Sequence, residues 1–136
     1  MARETVERLT GYLLNEAGDG LRTVVVIHED GYDTHYLRHD LRGEYTEDRF
    51  SEVVETFRDT SPSEAPDIEG TPIGTRRAVV TYHENAFVLQ FPVSDSDSVL
   101  ISLTADAGRD LLDFIESCQQ ITRADADAPK TQQSAL

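Results

Sequence analysis

His28, Asp33 and His35 come nearest, by residue type and spacing, to a chemical site. They flank Glu29-Asp30-Gly31-Tyr32, in which Asp-Gly reads as a tight turn between two extended runs. With Asp30-Gly31 at the turn, position 28 faces 33 and position 26 faces 35, so both imidazoles and the carboxylate share one face. Two histidines and an acid suit zinc or a similar ion. The competing reading is a pair of solvated histidines at a hairpin end. A metal-dependent enzyme would rest on His28 and His35; against an enzyme stands the fact that no nucleophile, base and oxyanion donor can be identified together.

A second cluster, Arg38-His39-Asp40-Leu41-Arg42, offers Arg38, His39 and Arg42 to a phosphate or to a partner's carboxylate. Its alternative is a solvated loop whose charges neutralise neighbouring acids. Arg76 and Arg77 open a strand, as anchors for a partner or as blockers of unwanted edge pairing. Cys118 falls on the apolar stripe of a helix and reads as a packing residue. Acid pairs such as Asp95 and Asp97 fall in a turn, where solvation explains them. The chain has no glycine-rich phosphate loop, no serine elbow and no helix-borne histidine pair.

The elements that would position these residues follow from periodicity. Val6, Leu9 and Leu13 recur at helical spacing over residues 3–16, and Gly18 and Gly20 stop the pattern. Residues 23–28 form a β-branched run, and 33–38 supply its hairpin partner. Thr46 is placed to cap a helix with Glu47 and Asp48 in its first turn, along which Phe50, Val53, Val54 and Phe57 make an apolar stripe. Residues 59–75 read as a surface loop. Strands are expected at 77–82, 86–91 and 98–103, with Asn85 in a left-handed turn. Thr104 would cap a last helix through Ala107, Leu111, Phe114, Ile115 and Cys118. The expected fold is α+β, in the order α-β-β-α-β-β-β-α, with a five-stranded antiparallel sheet covered on at least one face. Residues 1–121 form one domain, and 122–136 form a disordered acidic tail.

Composition narrows the function classes. The 136 residues carry a net charge of −14, with 26 acids against 12 basic residues, of which Lys130 is the sole lysine. A field of that sign repels phosphate backbones and anionic membranes, so neither nucleic acid nor membrane is an expected partner. Near-absence of lysine together with dense carboxylates is the composition of a halophilic protein, soluble where salt screens self-repulsion. Cys118 stands alone, so no intramolecular disulfide and no cysteine-based zinc site can form. The apolar core of a signal peptide is missing, and the expected location is cytoplasmic.

The second half carries a resemblance. Arg77-Ala78-Val79-Val80-Thr81-Tyr82, then Ala86 to Val93 with its apolar-Pro-apolar ending, then Val99 to Leu103 leading into Asp106, resemble the strands and final helix of the roadblock domain. That domain is a relative of profilin-like and PAS-like sheets. The run Asp33 to Asp40 is similar to small acidic haloarchaeal proteins of unassigned function. The roadblock resemblance implies a homodimer with sheets joined edge to edge and the second helix packed on its mate. Phe50, Val53, Val54, Phe57, Arg76, Arg77 and Val79 would lie at that contact. It further implies a non-enzymatic regulatory or scaffold role, often beside a small GTPase, with no cofactor and no catalytic residue to carry over. The long insertion before Arg76 departs from the family. The alternative is a small-molecule sensor whose sheet cups a ligand, walled by Tyr32, Tyr36, Tyr82, Phe87 and Phe91. A deep apolar pocket with a few convergent polar groups separates the sensor from the scaffold.

Overall fold

The computed structural model describes residues 3–59, 70–110 and 120–121. The chain runs through α1 (Arg3–Ala17), β1 (Leu21–His28), β2 (Gly31–Leu37), α2 (Leu41–Glu44), α3 (Glu47–Asp59), β3 (Val79–Tyr82), β4 (Ala86–Pro92) and β5 (Ser98–Thr104). One five-stranded sheet, wholly antiparallel, takes the order β2-β1-β5-β4-β3. The fold is α+β, with three helices among the described residues. The expected last helix, the acidic tail and most of the 59–75 loop fall outside them, Cys118 included. No described helix is long and apolar enough to cross a membrane.

Both faces of the sheet are covered. On one, α1 lays Val6, Leu9 and Leu13 over Leu21, Val24, Val26, Val99 and Ile101. On the other, α3 lays Phe50, Val54 and Phe57 over Val25, Ile27, Val88 and Leu100. This is why β1 reads as a continuous apolar run: successive side chains point to opposite faces and both faces are buried. The cap of α3 forms as its sequence requires, with the Arg49 amide donating to Thr46 Oγ1 at 3.1 Å.

Several local readings need correction. The first hairpin turns on Glu29 and Asp30, with His28 paired to Gly31 and Val26 to Asp33, so the register differs from the one that Asp30-Gly31 would set. No described non-glycine residue has a positive φ, so Asn85 is not left-handed. The second hairpin instead closes on Glu84-Asn85 through hydrogen bonds between the backbones of His83 and Ala86. Residues 41–44 form the short helix α2, where a loop was expected. Arg76 and Arg77 precede β3, which starts at Val79. Thr104 ends β5 and makes no side-chain cap; a 3-10 turn over Ala105–Gly108 follows it.

Candidate functional site

The α3 face of the sheet is incompletely filled. A cavity of about 410 Å³ lies between α3 and the strands. Its apolar walls are Val53, Phe57 and Phe50 from α3, Tyr45 and Leu41 from the preceding segment, and Val25, Val88 and Leu100 from the sheet. These strand positions face α3 by alternation, and the stripe on α3 meets them because its residues recur three and four apart. Arg22, Thr23, Ser102, His83, Glu84 and Asn85 supply the polar lining.

Three polar fastenings hold α3 on the sheet around this gap. Tyr32 Oη and Ser51 Oγ are 2.7 Å apart. Gln90, 2% exposed, donates its amide to the Phe57 carbonyl at 3.1 Å. The Arg58 guanidinium donates to the carbonyls of His28 and Gly31, the latter at 2.9 Å, and to Glu55. Arg58 ends a helix and binds backbone, so it carries no motif; only the three-dimensional return of the hairpin to α3 reveals it. The Phe57 ring is fixed on its other side by an edge contact to His83, centroids 5.7 Å apart, while Thr81 Oγ1 lies 2.8 Å from His83 Nε2.

A β-bulge shapes the polar side of the cavity. Leu21 pairs with Leu103 and Thr23 with Ser102, so Arg22 is one extra residue on β1. Leu21 packs toward α1, whereas Arg22 and Thr23 line the cavity on the opposite face. Thr23 and Ser102 hydroxyls satisfy each other at 2.6 Å. The Arg22 side chain has no hydrogen-bond or ion-pair partner among the described residues.

The expected site residues are distributed differently. His28 and Asp33 come together, with His28 Nε2 at 2.8 Å from Asp33 Oδ2. The third member is Asp97 from the β4–β5 turn, whose Oδ1 is 3.1 Å from His28 Nδ1. His35 is the extra residue of a second bulge, because Val24 pairs with Tyr36 and Val25 with Thr34. Among the described residues, no group of three His, Cys, Asp or Glu is arranged to hold a metal ion. The Asp33 and Asp97 hydrogen bonds raise the pKa of His28, and His28 in turn lowers that of Asp97. With a carboxylate at each ring nitrogen, the protonated imidazolium donates from both nitrogens and clamps the first hairpin to the β4–β5 turn.

Arg38 forks onto Asp40 at 2.6 and 3.0 Å and donates to the Asp19 carbonyl at 2.7 Å. Its guanidinium holds the Asp40 carboxyl below the usual carboxylate range. Arg42 reaches the Leu37 carbonyl at 3.3 Å, and His39 is exposed. This cluster stitches the β2–α2 corner together. Val54 is 1% exposed, and Phe50, Val53 and Phe57 are half-buried against the protein's own sheet. The stripe assigned to a dimer contact thus faces the protein's own sheet. Arg76 and Val79 are half-buried and Arg77 is exposed near the β3 edge.

The aromatic walls expected for a sensor also move. Tyr36 and Phe91 pack on the α1 side, Tyr82 stacks on Phe87, and Tyr32 meets Phe50 beside the cavity. Phe87 and Phe91 alternate with the β4 residues that face α3, so none of the five lines the cavity; Tyr45, Phe50 and Phe57 do.

No curated protein matches the chain. Residues 7–123 match the family described as a domain of unknown function (DUF7522), and the chain belongs to that family.

Proposed function

We propose that this family member is a small-molecule-binding module, the sensor alternative, with its ligand seated between α3 and the sheet. The observation that carries the reading is the cavity of about 410 Å³, apolar on its walls and polar at a few convergent positions. Ligand sites of soluble proteins are concave, mostly apolar and of about 300–1,000 Å³. Fastening of α3 by Tyr32–Ser51, Gln90–Phe57 and Arg58 supports a pre-formed space, since the helix is held without the cavity being filled.

The scaffold reading, a roadblock-like homodimer beside a GTPase, rests on the element order, the edge arginines and the lack of an identifiable catalytic set. A cavity with convergent polar groups favours the sensor over it. Binding without catalysis fits a cavity that gathers no nucleophile paired with a base among its described lining residues.

The test is ligand-observed NMR with a panel of small aromatic and aliphatic compounds against the wild type and Val53→Phe, which plugs the cavity. Binding that the variant abolishes while retaining its melting transition supports the proposal. Binding that Val53→Phe leaves unchanged places the ligand elsewhere and removes the reading.

A further inference from the structure

We infer that the cavity takes a small amphiphilic monocarboxylate, its carboxylate on Arg22 and its apolar body against Val53, Phe57 and Leu100. The inference rests on the binding reading above and names the ligand class for that same site.

The argument begins with the placement of Arg22. In a regular strand it would alternate with Thr23 and point to the α1 side; the bulge turns it onto the cavity side with Thr23. Bulges that re-aim a side chain are over-represented beside functional sites. The result is a half-buried arginine lining a largely apolar cavity.

Its isolation is the second observation. The chain holds 26 acidic residues against 12 basic ones. Among the described residues, Arg3, Arg38, Arg49, Arg58 and Arg109 pair with a carboxylate, whereas Arg8, Arg22, Arg42, Arg76 and Arg77 do not, and of these Arg22 is the one that lines the cavity. Arg22 pairs with none among the described residues, although Glu84 lines the same cavity. A cation partly withdrawn from water and left without an anion is costly unless a ligand supplies one. Arginine's planar fork matches a carboxylate with two parallel hydrogen bonds.

The remaining lining restricts the anion further. Thr23 and Ser102 hydroxyls lie beside Arg22 in sequence and register, and whichever of the two accepts from the other keeps its own proton to donate to an oxygen. Glu84 and the protein's net charge of −14 oppose any anion, and a doubly charged phosphate more strongly than a singly charged carboxylate. A singly charged head on an apolar body is the chemistry that satisfies both parts of the wall.

Calorimetric titration with octanoate, octanamide and octyl phosphate tests this on the wild type, Arg22→Gln and Arg22→Lys. Octanoate is expected to bind the wild type and to lose about ten- to hundredfold in Arg22→Gln, with octanamide weaker on the wild type and unaffected by the change. Arg22→Lys keeps the charge without the fork and should fall between. Equal binding of octanoate and octanamide, unaltered in Arg22→Gln, overturns the carboxylate class and leaves the cavity reading standing. Octyl phosphate binding more tightly than octanoate overturns the monoanion. Failure of all three on the wild type overturns the carboxylate class, while binding of the aromatic and aliphatic panel that Val53→Phe abolishes would still uphold the cavity reading.

Discussion

The two faces of the sheet share β1 yet are finished in different ways. On the α1 side, Leu21, Val24, Val26, Val99 and Ile101 are at most 1% exposed and close against Val6. On the α3 side, Val25 and Leu100 are also buried, at 0% and 4% exposed, but they border a cavity that the helix bridges and does not fill. One face is held by packing, and the other by packing together with polar fastenings at its rim. A close-packed face resists any change of volume, whereas a bridged face leaves room for a guest. On the proposed reading, the α1 side is the closed face of the sheet and the α3 side the face that takes a ligand.

The largest effect expected from this contrast is on truncation. Ile101→Ala should cost about 2–5 kcal/mol, because it opens a void in the α1-side cluster. Val53→Ala, on the wall of an existing cavity, should cost under about 1 kcal/mol. Urea denaturation of the two variants measures both; equal losses would erase the distinction between the faces.

A smaller effect sharpens the same point at the end of β5. A Cβ on Gly108 would lie 2.5 Å from Phe87 Cδ2, and Phe87 is 4% exposed and stacked on Tyr82. Gly108→Ala should therefore destabilise by about 1–3 kcal/mol through overpacking, read from the same denaturation curves. A neutral result would mean that the Phe87 ring has space to retreat.

The smallest effect belongs to the His28 clamp, which is partly exposed and screened. Its pKa is raised above 6.5, so its contribution to stability is full below 6.5 and is lost as pH rises through the raised value. Asp97 is lowered below 3.8, so its contribution is full above 3.8 and is lost as pH falls through the lowered value. The urea midpoint of the wild type should decline above neutrality more steeply than that of His28→Gln. Parallel profiles would show that the clamp carries no linkage.

Much of the fold was legible in residue patterns. The β-branched run of β1, the stripe from Phe50 to Phe57 and the Thr46 cap follow from local periodicity and capping chemistry, and they form where they are read. The site was legible only in part. Two bulges, at Arg22 and at His35, break the alternation that face assignments depend on, and a bulge is defined by the partner strand's register. Asp97 reaches His28 because the turn it occupies leads into β5, which pairs with β1, a relation no local window contains. The stripe on α3 was correctly read as buried, but its partner, the protein's own sheet, is a tertiary fact.

Intermolecular nuclear Overhauser effects between bound octanoate and the side chains of α3 test the central claim most directly. The account predicts cross-peaks from the octanoate methyl and methylenes to Val53, Phe57 and Leu100, with shift changes at Arg22. Cross-peaks confined to the exposed edge at Val80 and Tyr82, or to α1, would contradict it.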